Sequence, residues 1–232
     1  GNAVGFAALA RWHHPERGLV GPDEFLSVAD TSGLVVPLGS AVMERALAAF
    51  SAWLGLGLEP GRVAVNLATA QLTRPVLVEE IEQLLSGNGL PAERLELEVT
   101  ETVLLGGAAD TALGVLEALR ALGVTVALDD FGTGIASLTR LRRWPVDRIK
   151  LDRQFVRDML TDPEAAAIVR AVIQLGRSLG ITVVAEGVET EAQLDFLLEQ
   201  GCEQAQGYLL APPLPEDAVS DFLARQPDPD RV

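Results

Sequence analysis

Short apolar runs alternate with longer segments of helical periodicity along almost the whole chain. Residues 62–67 (RVAVNL), 95–99 (LELEV), 124–128 (VTVAL), 148–151 (RIKL), 182–185 (TVVA) and 204–209 (QAQGYL) read as strands, and 3–10 as a seventh. The later strands start about 23–33 residues apart, the length of one βα unit. Leu113, Leu116, Leu119 and Leu122 give a helix over 109–122 one apolar face, with Gly123 at its C-cap. Asp162 and Pro163 open a helix over 163–179 as N-cap and first helical residue. The longest helical stretch is 35–54.

No linker, repeat or low-complexity segment divides these units, so one domain is expected over 1–225. The rest, QPDPDRV over 226–232, reads as a frayed tail. Repeated βα units without a break imply an α/β fold, either a doubly wound sheet or a (β/α)8 TIM-type barrel. The pattern yields seven strands where a barrel has eight. The opening GNAVGFAALARW has no Met and starts inside a turn and strand, so the eighth is expected to precede Gly1.

Polar residues sit where the strands stop. Asn66 ends one, Glu98 another with Glu101 close behind, and Asp129 and Asp130 a third. Lys150 and Asp152 flank Leu151, Glu186 is followed by Glu189, and Gln206 precedes Gly207. Polar caps are common on strands, and at any single position that explanation is as good as a functional one. It does not explain six successive strands whose end groups are carboxylates, an amide and the chain's single lysine. In a barrel all these ends meet on one face, where barrel enzymes place their chemistry. Clustered carboxylates repel one another unless a cation holds them, and oxygen donors suit Mg²⁺ or Mn²⁺. Two such ions would clamp a phosphoryl substrate, with Lys150 orienting water or neutralising charge. The stretch from Asp129 to Gly134 (DDFGTG) reads as a mobile loop. A proton abstraction of the enolase kind also uses carboxylates and a Lys on barrel strands, but leaves the adjacent Asp pair unexplained.

Composition narrows the partners. The net charge is −15 over 232 residues, which argues against non-specific binding to DNA or to anionic lipid. Lys150 is the one lysine among 18 cations. The single cysteine, Cys202, excludes an intramolecular disulfide and a cysteine zinc cluster, and reads as a small buried residue. No apolar run reaches the length of a membrane span, and the start lacks the basic segment of a signal peptide. His13 and His14 read as surface residues of a loop, HHPERG. Arg140, Arg142, Arg143 and Arg148 read as a solvated helix face, and Trp12, Trp53 and Trp144 as core or core edge.

These residues resemble the EAL-domain cyclic di-GMP phosphodiesterases. The series is AALARW (7–12), VNL (65–67), EVTE (98–101), DDFGTG (129–134), KLD (150–152), AEGVE (185–189) and QGY (206–208), in the family's order across nearly the whole chain. The resemblance implies a modified (β/α)8 barrel with one antiparallel strand, and hydrolysis of cyclic di-GMP to linear pGpG with Mg²⁺ or Mn²⁺, on a two-metal site. By the same resemblance Asn66, Glu98, Asp129, Asp130 and Glu186 are metal ligands. Lys150 holds the nucleophilic water, Glu186 is a candidate base, and Gln206 supports water and metal. Leu9, Arg11 and Asp152 contact the nucleotide, Glu101 anchors the loop from Asp130, and Glu189 is a supporting acid. A cytoplasmic domain is implied, free or in a membrane-anchored parent with sensor or GGDEF-type domains, and a homodimer is compatible with it.

One position departs from the family pattern. Where the family has Glu-Ala-Leu, with the Glu a metal ligand, this chain has Ala7-Ala8-Leu9. Alanine has no donor atom. The chain is then either a phosphodiesterase impaired at one position or a receptor that binds without cutting. The other matched positions are intact, which favours the first. A milder departure is Ile135-Ala136, where the family has an aromatic residue and a Ser.

Overall fold

The computed structural model describes residues 3–104, 109–133, 141 and 143–225. Gly134, Ile135, Ala136, Arg140, Arg142 and the tail from 226 to 232 lie outside the described residues. Seven strands form one sheet in the order β1 (Gly5–Ala7), β4 (Arg62–Asn66), β5 (Leu95–Thr100), β6 (Thr125–Phe131), β7 (Arg148–Leu151), β8 (Thr182–Glu186) and β9 (Gln204–Gln206). The pairings of β1 with β4 and of β6 through β9 are parallel. After the first hairpin the order advances strand by strand without reversal. A doubly wound sheet reverses at its switch point, so the topology is that of the (β/α) barrel.

The chain divides into two compact units. The first comprises residues up to Leu97, Gly114–Val124 and those from Pro215. It holds β1, β4 and a hairpin of β2 (Trp12–His14) and β3 (Gly18–Val20), whose pairing is antiparallel. It also holds α1 (Pro22–Thr31), α2 (Val35–Gly55), α3 (Thr69–Leu72), α4 (Leu77–Gly87) and the C-terminal helix Glu216–Ala224. Met43, Leu47 and Phe50 of α2 are buried with Val63 and Val65 of β4. By length and composition α2 is the one described helix apolar enough to cross a membrane, which the sequence reading did not anticipate.

The second unit comprises Glu98–Leu113 and Thr125–Leu214, and holds Glu98, Asp129, Lys150 and Glu186. Its helices include α6 (Arg153–Asp158), α7 (Pro163–Leu179) and α8 (Glu191–Gln200). Asp162 caps α7 as expected, accepting from the Glu164 N–H at 2.9 Å. Gly180 ends it at φ 68°, a left-handed conformation that costs glycine nothing.

Several expectations shift. The helix α5 spans Ala109–Ala121, and its buried stripe is Ala112, Val115, Leu116 and Leu119, with Leu113 and Leu122 only half-buried. The i, i+3, i+4, i+7 spacing starting at Ala112 is the better helical face, and alanine hid it. The strand expected over 3–10 stops at Ala7, and HHPERG is part of the β2–β3 hairpin rather than a loop. Trp12 is 46% exposed, not core. Gln204–Gln206 is half the strand expected, because Gly207 turns the chain. Arg148 lies in β7, not on a helix, and donates to Gln204 Oε1 at 2.6 Å. Cys202 is buried, as read.

Candidate active site

Strand register puts two key side chains of the second unit on one face. Lys150 is in register with Val184, so it shares a face with Glu186 two residues further along β8. Ala127 and Leu128 are in register with Arg148 and Ile149, and the register shifts before Phe131 pairs with Leu151, so Asp129 lies in an irregularity of β6 beside Lys150. Glu186 in turn is in register with Gln206. Lys150 Nζ lies 2.6 Å from Glu186 Oε1, 2.7 Å from Glu98 Oε1 and 3.6 Å from Asp129 Oδ1. Lys150 is 4% exposed and Glu98 2%. Three carboxylates from three strands thus converge on the chain's single ammonium.

This arrangement sets the charges. Burial alone would lower the Lys150 pKa, but Glu98, then Glu186 and Asp129, outweigh it and hold the ammonium well above its ordinary value. Lys150 is therefore a fixed cation and not a base. Burial pushes Glu186 up to about 7 against the pull of Lys150, with Asp129 and Glu98 adding to the rise. Glu186 is accordingly a carboxylate able to exchange a proton near neutrality.

Asp130 is the described non-glycine residue with positive φ, 54°. Asp tolerates that conformation better than most residues. Its N–H donates to Asp129 Oδ1 at 2.9 Å, and its carbonyl accepts from Thr133 Oγ1 at 2.9 Å. Burial, then the Asp129 and Asp152 carboxylates, raise its pKa. Asp152 also caps α6, accepting from the Gln154 N–H at 2.7 Å. Glu101 is buried at 3% exposure directly after β5, while Gln206 and Glu189 are exposed.

The remaining expected site residues belong to the first unit. Ala7 ends β1 in register with Ala64, and Asn66 ends the neighbouring parallel strand β4. Leu9 is 47% exposed, and Arg11 is exposed with its guanidinium donating to the Ala10 carbonyl. Ala7 presents a methyl group at the end of β1, whose neighbour β4 ends in the amide of Asn66.

Sequence reasoning missed Gln193, which is buried and ties the loop after β8 to the Val156 carbonyl. The signal was there in Thr190-x-x-Gln193, a capping box. Among the described residues no three acidic groups stand in a metal-binding arrangement, since they gather on Lys150 instead. The donor chemistry of the second unit nevertheless fits a hard divalent cation: Glu98, Asp129, Asp130 and Glu186 all offer oxygen.

The EAL domain family matches residues 1–213. The chain is 45% identical over 216 residues to the cyclic di-GMP phosphodiesterase NbdA of Pseudomonas aeruginosa, covering 93% of this chain and 28% of that protein. It is 42% identical over 224 residues to the bifunctional diguanylate cyclase/cyclic di-GMP phosphodiesterase MucR of the same organism, covering 97% and 33%. The solved PaMucR phosphodiesterase in complex with c-di-GMP superposes with a TM-score of 0.89 at 42% identity, over 93% of this chain and 87% of that one. The EAL domain of Mycobacterium smegmatis DcpA gives 0.78 at 38% identity, over 84% and 88%. The chain spans about a quarter to a third of the length of the curated relatives it matches. With this match across nearly its full length, the chain belongs to the EAL domain family.

Proposed function

We propose that this chain is a cyclic di-GMP phosphodiesterase domain whose turnover is limited by Ala7. The observation that carries the reading is the convergence of Glu98, Asp129 and Glu186 on Lys150. Asn66, Glu98, Asp129, Asp130 and Glu186 would hold Mg²⁺ or Mn²⁺, which supplies Lewis-acid polarisation of the phosphodiester when bound. Lys150 keeps its proton and steadies the negative charge that develops at phosphorus. Glu186 takes the proton of the attacking water, a P–O bond of the ring breaks, and the proton passes to the departing oxygen to give linear pGpG. Gln206, in register with Glu186, supports that water. Arg11 and Leu9 contact the nucleotide with Asp152, while Glu101 and Glu189 steady the surrounding loops. Sensor or cyclase domains elsewhere in a longer parent, a cytoplasmic location and a homodimer belong to the same reading.

Loss of even a supporting partner of a metal ligand costs ~10–100-fold in affinity or activity, so a missing ligand costs at least that. Hydrolysis of cyclic di-GMP with Mn²⁺, measured for the protein and for Ala7→Glu, tests the reading. The expected result is a gain of at least about tenfold in the variant. Tight nucleotide binding with no turnover in either protein would instead establish a receptor.

A further inference from the structure

The shortest ion pair of the site joins two strands that continue into different elements. After Glu186 the chain enters the loop Gly187-Val188-Glu189 and then α8, and directly after Lys150-Leu151-Asp152 it enters α6. One buried amide spans the two. Gln193 is 6% exposed. Its Oε1 accepts from the Glu189 N–H at 2.8 Å and the Thr190 N–H at 3.0 Å, while its Nε2 donates to the Val156 carbonyl at 3.2 Å. The second of these belongs to the capping box of α8. The third does not: it reaches 37 residues back along the chain to the last turn of α6. Carbonyls in such a turn have no donor within their own helix. A single side chain therefore closes the start of one helix and the end of another.

The backbones it joins are already in close contact. Gly187 has φ +71°, and a Cβ built there would stand 2.6 Å from Arg153 Cβ. An approach this close fixes the spacing of the β8 loop and α6 only if something holds their register along the contact. Gln193 supplies that hold from a buried position, where an unmade amide hydrogen bond is costly.

We propose that Gln193 is a positioning residue, bridging the β8 loop to α6 and thereby holding Glu186 and Lys150 in their 2.6 Å pairing. The role rests on the proposed function only in making that pair part of a phosphodiesterase site. The geometry it controls can be read without nucleotide or turnover.

Lys150 is the chain's only lysine, so ¹⁵N-lysine labelling yields one side-chain ammonium resonance. In Gln193→Leu this resonance shifts, and its protons exchange with water roughly five- to tenfold faster, the effect of one lost net hydrogen bond on a local opening equilibrium. Thr190→Ala is the control. It removes the hydroxyl that accepts from the Gln193 N–H at 3.3 Å but leaves the bridge, so it lowers the melting temperature without moving the resonance. Gln193→Glu keeps an oxygen that accepts from the Glu189 and Thr190 N–H groups but loses the donor to Val156, and gives the reading if the leucine variant does not fold. An unchanged ammonium signal in the Gln193 variants, or an equal change in Thr190→Ala, overturns the proposal and reduces Gln193 to a helix cap. Failure of cyclic di-GMP hydrolysis in Ala7→Glu would sink the function and leave this measurement standing.

Discussion

Lys150 shows how one residue can be conspicuous in a sequence and still hide its role. Its singularity among the cations marked it, and its place between Ile149 and Leu151 put it in a strand. That its ammonium faces Glu98, Glu186 and Asp129 together depended on strand register, which no local pattern encodes. Removing one partner of a buried ionic group leaves the others unpaired, at a cost of roughly 3–5 kcal/mol. Lys150→Met should lose that much in urea unfolding with chelator present, and Mn²⁺ should recover part of it. A loss near zero would contradict the electrostatic account. Cys202 is the opposite case, since its burial was legible from composition. Burial raises its thiol pKa, although backbone hydrogen bonds from Gln204 and Ala185 and the Arg177 charge pull the other way. The folded thiol thus stays protonated where the unfolded one ionises, so its contribution to stability is full below about pH 9 and fades as pH rises through the raised value. Thiol reagents at pH 8 should label the native protein far more slowly than the urea-unfolded chain. Equal rates would refute the burial.

At the scale of elements, the sequence was most reliable where chemistry is local. Asp162 before Pro163 and Gly180 after Leu179 bracket α7 as their side chains require. Asp162→Ala should cost about 1 kcal/mol, the usual loss of an N-cap bond, read as a lower urea midpoint at constant slope. A larger loss would mean that the carboxylate does more than cap. Local signals failed at strand ends and in the β2–β3 hairpin. The hairpin's two strands have three residues each, too few for periodicity to register. Arg148 misled because its charge suggests a surface, whereas in β7 its guanidinium is satisfied by Gln204. Gln193 was missed, and even its capping-box spacing from Thr190 would have pointed only to a local role, not to the distant Val156 carbonyl.

The whole molecule carries a net charge of −15, and part of that charge sits in the second unit around a single lysine. A divalent cation bound by the folded protein alone adds stability by mass action, about 2.7 kcal/mol at 100 times its Kd. For a chain of this size that is a rise of ~2–4 °C in melting temperature per kcal/mol. Thermal melts in Mn²⁺ against chelator should show such a rise, larger in Ala7→Glu, which restores one negative donor. No rise in either protein would mean that these carboxylates serve Lys150 alone.

The sequence by itself determined the alternation of strands and helices, the helix caps, the identity of the polar residues at strand ends and the alanine at position 7, where the family resemblance implies a carboxylate. These are local properties, set by the period of the backbone and the chemistry of each side chain. Only the tertiary structure decided that Glu98, Asp129 and Glu186 gather on Lys150, that Glu186 is pushed towards neutrality, and that Gln193 spans two helices. Those outcomes depend on which strands are neighbours and in what register, and on how completely water is excluded between them. Both are consequences of packing residues that lie far apart in the chain.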